Sequence, residues 1–404
     1  MTFIKNIVLY KNQIGKQIEK NLLISSLAVA SFCWLQSVLD ILGVTPDKTL
    51  LCLGCTSQTF GFPHPNGFAI EPQFMANLLL APIFLSLFSL FSNYSTKKTQ
   101  SYPFKLSQYL ISFFLIATLY LTLSRGAIFS FWVGIFALFL FKIIAVIKSQ
   151  TTFKIFIRKI VLQFSLVILP LVFTLTIQGF FTAIGPTHLG FLDGVSSSLS
   201  QLSLGRINLR ASKQNNIEHG SLPQTSQPQE IIQAQTSQAQ NPQIAPQFTG
   251  YIAESTSIRL KLNEMAIDSW NDSVNQIFFG VGLGSTGVNL YQKFPELGSP
   301  KEIIQNEYLA LLYEQGVLGV IAFCLTVASL AIIYILYNKN PVKSSLSKTK
   351  ATHRTEQNTS SSFFESKKAH VLILYLVYAL TLCFFSGLPN ALHIYLLTPL
   401  LFSL

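Results

Sequence analysis

Seven apolar runs near twenty residues long recur along this chain, at roughly 22–42, 68–92, 104–123, 127–147, 160–182, 307–337 and 370–388. As a helix, a run of that length matches the roughly 30 Å hydrocarbon core of a bilayer. A shorter run, 391–404, is read as an eighth helix cut close. Only 11% of residues are charged, whereas a soluble domain carries about a quarter. These runs predict an all-α polytopic membrane protein. It would have about seven to eight transmembrane helices and one large external loop bearing short amphipathic helices.

The net charge of +11 follows from topology. With the N-terminus cytoplasmic, nineteen of the 28 basic residues fall on inside segments. These include Lys5, Lys11, Lys97, Lys98, Lys154, Arg158, Lys343 and Arg354, and only Glu19, Glu356 and Glu365 oppose them. Lys and Arg collect in cytoplasmic loops, so this orientation is expected and the opposite one is not. Nucleic acid is therefore not an expected partner. The first 21 residues are polar and Lys-bearing, and the apolar run after them is too long for a signal-peptide core. The expected location is the plasma (inner) membrane, with the large loop on the non-cytoplasmic side. Cys52 and Cys55 form a lone CxxC without two further ligands, which reads as chance spacing or a local disulfide rather than zinc.

Three regions follow. Residues 1–182 hold about five spans. Residues 183–306 form the external loop, whose middle, 213–247, is rich in Gln, Ser, Pro and Ala and reads as a disordered insertion. Residues 307–404 return to the membrane, with a Ser/Thr/Lys-rich cytoplasmic linker over 341–367.

The chemistry is expected at the external face. Arg125, in LTLSRGAIFS, lies between two apolar runs with almost no loop. It can snorkel to headgroups, or clamp an anion, since guanidinium pairs bidentately with phosphate. Ile258, Leu262, Met265 and Ala266 recur at helical spacing and predict a short amphipathic helix lying on the membrane domain. Arg259, Asn263, Ala266 and Trp270 line its adjoining face; Arg259 and Lys261 are a second basic pair, whose plain reading is a solvated helix surface. Arg206 and Arg210 rank lower. The run GVGLG lacks the strand and βαβ context of a dinucleotide site, so Gly280, Gly282, Gly284 and Gly287 predict a turn whose N–H groups can meet an anion. The loop GFPHPNGFAIEPQF places His64, Asn66 and Glu71 at the mouth of the second span. Glu71 is as compatible with a helix cap as with a polar site, and His64 reads first as structural.

In that order, SRGAIF on a hairpin, a large outer loop, an Arg-bearing helix, NQIFFGVGLGSTG and QNEYLALLYEQGVLGVIAF resemble the O-antigen ligase and polymerase superfamily. The likeness is strongest over 105–336, and the Pro/Asn loop near His64 extends it. It implies transfer of a glycan from a polyprenyl-diphosphate carrier to a glycan, lipid or protein acceptor, in contact with membrane lipid. It implies no cofactor, neither nucleotide sugar nor metal. By motif position it assigns Arg125 and Arg259 to stabilising the departing diphosphate, and Gln305–Asn306 to the place where family ligases often carry His–Asn. An amide does not titrate, so Gln305 cannot serve as general base. His64, Glu71 or Glu307 would take that role, the acceptor would need only orientation, or the chain has lost transfer. A lipid or polysaccharide transporter component is the competing reading, though the chain shows no internal repeat.

Overall fold

The computed structural model describes residues 2–42, 64–69, 72–92, 102–149, 153–185, 190–203, 248–295, 304–339 and 367–384. Every regular element among them is helical: α1 (Thr2–Ile41), α2 (Pro72–Ser92), α3 (Tyr102–Leu121), α4 (Arg125–Ser149), α5 (Phe153–Ile184), α6 (Phe191–Leu202), α7 (Phe248–Trp270), α8 (Val274–Phe279), α9 (Thr286–Lys293), α10 (Glu307–Lys339) and α11 (Lys367–Leu382). Seven of these coincide with the seven apolar runs. Three contain stretches long and apolar enough to cross a membrane, Gln17–Ile41, Phe164–Ile184 and Glu307–Thr326. Four more are apolar but shorter: Pro72–Phe88, Leu106–Leu121, Arg125–Leu140 and Leu372–Leu382. The CxxC, Glu71, Arg206, Arg210, the insertion at 213–247 and the run 391–404 lie outside the described residues, as does the linker at 341–367 apart from Lys367.

The main core is built where α1–α5 and α11 meet. Ala30, Met75, Leu79, Leu80, Ile83, Leu115, Leu119, Phe131, Leu166, Val377 and Tyr378 are buried together there. Two contacts fix the relative height of the helices. Trp34 Nε1 donates to Thr118 Oγ1 at 2.9 Å, and Thr174 Oγ1 donates to the carbonyl of Ala117 at 3.1 Å. Trp34, Ala117, Thr118 and Thr174 thus lie at one level, and Leu123, just past the end of α3, packs against Phe181 near the end of α5, so α3 and α5 run the same way. The turn between α3 and α4 ends at Arg125, which shares that end.

A second, smaller core lies apart from the first. Met265 and Ala266 of α7, Leu290 of α9, and Ile304 and Tyr313 beside and within α10 are buried together. Helix α7 occupies the predicted amphipathic stretch, and Leu262, Met265, Ala266 and Ser269 form its inward stripe. Ile258 departs from the expectation, being 51% exposed. It belongs to the apolar spacing but lies one turn before Leu262, where the buried stripe begins among the described residues. Helix α10 also departs from a single span, because Gly316 (φ 65, ψ −169) breaks it.

Candidate functional site

Arg125 is the first residue of α4, and its position comes from a turn under strain. Leu123 is the one non-glycine with positive φ (50) among the described residues. Left-handed backbone costs an L-residue about 1–2 kcal/mol. Leu123 is held there because its side chain is buried against Phe181 of α5 and Leu202 of α6. Around it, Thr122 Oγ1 donates to the Leu119 carbonyl (2.7 Å), the Ser124 amide donates to Thr122 Oγ1 (3.3 Å), and the Ile128 amide donates to the Ser124 carbonyl (2.9 Å). The result sets a half-buried guanidinium on the N-terminal turn of a helix with no acidic residue in that turn. Helix N-termini present unbonded N–H groups and a partial positive charge, so cation and dipole together favour an anion at this spot.

Helix α6 lies where the sequence reading placed only loop. Its inward face is Gly194, Ser196, Ser197, Ser198 and Ser200. The signal for the helix was available, since Leu192, Val195, Leu199 and Leu202 recur at helical spacing; what apolar periodicity does not mark is that the hydroxyl face is the buried one. Gly194 permits close approach to α5, since a Cβ there would overlap Thr182 Oγ1 and sit 3.0 Å from the Gln178 carbonyl oxygen. Gln178 is fully buried, and neither its amide oxygen nor its amide nitrogen has a hydrogen-bond partner among the described residues; the same holds for Ser124 Oγ and Ser200 Oγ. Leaving such groups unpaired costs about 1–3 kcal/mol each. The α5–α6 seam next to the Arg125 turn therefore carries polar capacity that a polar ligand or water would satisfy.

Helix α7 packs against α6, α9 and α10. Arg259 is half-buried one turn before Leu262, on the predicted face with Asn263, Ala266 and Trp270. On that face Asn263 Oδ1 and Trp270 Nε1 are buried without hydrogen-bond partners among the described residues. Lys261 is exposed on another side of α7. Thus α6 stands between the Arg125 turn and the Arg259 helix and touches both.

The other expected residues gather at the mouths of α1, α2 and α10. Asn66 is buried and its Oδ1 accepts from Gln36 Nε2 at 3.3 Å, while the Gly67 amide donates to Gln36 Oε1 at 2.9 Å. His64 is buried, and burial pushes its imidazole down to about 3. It is neutral at pH 7 but a weak base, which suits structural support better than proton abstraction. Gln73 Nε2 approaches Gln305 Oε1 at 3.5 Å, bringing the start of α10 to the start of α2. Asn306 Oδ1 accepts from the amides of Tyr308 and Leu309, both at 3.1 Å, so this side chain caps α10.

The glycine run turns its first donors into the protein. The Val281 amide donates to the Tyr313 carbonyl at 3.0 Å and the Gly282 amide to the Glu314 carbonyl at 2.9 Å. Those carbonyls lie beside the Gly316 break in α10, so these two donors are spent on closing the kink.

Among the described residues no cluster of His, Cys, Asp or Glu could hold a metal ion. One apolar cavity of about 210 Å³ lies between α2, α4 and α5, lined by residues such as Leu87, Trp132, Phe139 and Phe164. Its lining carries no charged side chain. No protein-family model matches the chain, and neither a curated protein nor a solved structure resembles it.

Proposed function

We propose that this protein transfers a glycan from a polyprenyl-diphosphate carrier to an acceptor hydroxyl at the non-cytoplasmic face of the plasma membrane, in the manner of the O-antigen ligases and polymerases it resembles. The observation that carries the reading is Arg125, held by a strained, packed turn on the N-terminus of α4, with the Arg259-bearing α7 one helix away across α6. In this reading the chain spans the membrane seven to eight times, its N-terminus is cytoplasmic, and the Arg125 end faces outward. The acceptor oxygen attacks the anomeric carbon as the bond from that carbon to the diphosphate oxygen breaks. The electron pair leaves on polyprenyl diphosphate, whose charge Arg125 and Arg259 stabilise. The hydroxyl proton needs a titratable group. Gln305 cannot take it, and His64 is too weak a base. Glu307, half-buried beside Gln305, is the candidate.

The absence of a titrating side chain at Gln305 favours one second reading, a catalytically silent relative that binds the same donor. The protein in lipid discs, supplied with polyprenyl-linked glycans from its own cells, separates the two. Transfer predicts release of polyprenyl diphosphate that is lost in Arg125→Ala and Arg259→Ala and strongly reduced in Glu307→Gln. Longer lipid-linked chains would identify a polymerase, and glycan on a new acceptor a ligase. Donor binding without release by an intact protein would exclude transfer.

A further inference from the structure

Between Asp272 and Lys293 the chain carries no charged residue and no histidine, and those two residues pair with each other. The ion pair closes the neck of an uncharged loop that contains α8, the glycine turn and α9. Four large apolar side chains in ten residues point outward from it: Val274 at 69% exposure, Phe278 at 46%, Phe279 at 65% and Leu283 at 74%. Scattered surface apolar residues need no explanation, but a contiguous apolar patch does.

The backbone of this patch is clamped to α10 at membrane depth. A Cβ on Gly316 would lie 2.6 Å from the Phe279 amide nitrogen, and one on Gly280 would lie 2.5 Å from the Gln315 amide nitrogen. Gly316 is nine residues into the apolar stretch Glu307–Thr326, of which only 11% is buried; at 1.5 Å per residue that is roughly 13 Å along the helix. Two residues further on begins the exposed apolar face of α10, Leu318 and Ile321. Helix α10 needs lipid along that face, and the phenylalanine pair starts where it starts.

We infer that the loop from Val274 to Leu283 is a re-entrant wedge seated in the bilayer leaflet on the Arg125 side, with phospholipid as its partner. Irregular backbone at membrane depth is tolerated only when its polar groups are satisfied within the protein. Much of this turn meets that condition: Gly280, Val281, Gly282 and Ser285 amides donate to the carbonyls of Gln276, Tyr313, Glu314 and Gly282, and Ser285 Oγ donates to the Val281 carbonyl. The nearby Glu314 carboxylate turns inward, accepting from Thr286 Oγ1 at 2.5 Å.

The test places a photoreactive benzophenone amino acid at Phe279, at Leu283 and, as a control, at exposed Asn271, in discs of phosphatidylethanolamine and phosphatidylglycerol. After irradiation, mass spectrometry reads the adducts. The wedge predicts phospholipid adducts at positions 279 and 283 and none above background at 271. Two positions on the patch guard against one that disturbs folding. Adducts to a second protein copy, or equal lipid labelling at all three positions, would overturn the inference, as would no lipid adduct at 279 and 283 in protein that elutes as a folded species. No glycan is present, so the outcome is independent of the transferase reading.

Discussion

The α1–α5 bundle and the α7–α10 module achieve close packing by opposite means. In the bundle, side chain meets side chain: Phe131 is fully buried, 5.9 Å from the Phe84 ring and 6.2 Å from that of Tyr120. In the module, backbone meets backbone, as the 278–282 strip lies against the broken turn of α10 and glycines stand at the crossing. A side-chain core tolerates adjustment, because rotamers and helix positions can shift. A backbone crossing does not, because the overlapping atoms belong to the chain itself. Function fits that contrast: the bundle presents Arg125 through one strained leucine, whereas the module fixes a loop by geometry.

Alanine at the crossing puts this contrast under the heaviest load. Gly280 and Gly316 combine positive φ with extended ψ, a region only glycine adopts, and an added Cβ at either would meet backbone. Gly280→Ala and Gly316→Ala should each cost more than about 3 kcal/mol and lower the unfolding temperature sharply. In the bundle, Gly134→Ala meets only side-chain atoms, including Val377 Cγ2 at 2.5 Å. It should cost about 1–3 kcal/mol. Gly284→Ala isolates the strain, since its φ is +70 but nothing lies within 4 Å of an added Cβ. Backbone strain alone predicts about 1–2 kcal/mol. Equal losses at Gly280, Gly316 and Gly284 would dissolve the distinction.

Two smaller effects follow. Asn306→Ala removes the cap from α10 and should cost about 1 kcal/mol, read in the same melts. His64 supplies the pH arm. Its folded pKa lies far below that of an unfolded imidazole, so the unfolded chain binds the extra proton. Stability is then full above about pH 6.5 and erodes as pH falls toward 3, by up to about 1.4 kcal/mol per pH unit. His64→Gln should flatten that slope.

The helices of the bundle were legible because their signal is length and apolarity, and α7 because Leu262, Met265 and Ala266 recur at helical spacing. The α6 serine face was not: Leu192, Val195, Leu199 and Leu202 mark a helix by their spacing, but the face it buries is the hydroxyl one, fitted through Gly194 to Thr182 and Gln178. The glycine run was legible as a turn, but its partner was not. The break at Gly316 is a long-range backbone match that no local pattern encodes. Asn306 shows the same limit at a single residue: the sequence marks a polar side chain beside an apolar run, and only the structure shows its Oδ1 accepting from the amides of Tyr308 and Leu309.

If the Leu123 turn presents Arg125 to a diphosphate, the consequence is visible in equilibrium binding of polyprenyl diphosphate to the protein in lipid discs. Losing a charge-assisted hydrogen-bond partner costs about 1.5–3 kcal/mol, so Arg125→Gln should weaken binding by roughly 10- to 150-fold while Lys293→Gln leaves it unchanged. Equal affinity in wild type and a folded Arg125→Gln protein would show that Arg125 does not hold the diphosphate.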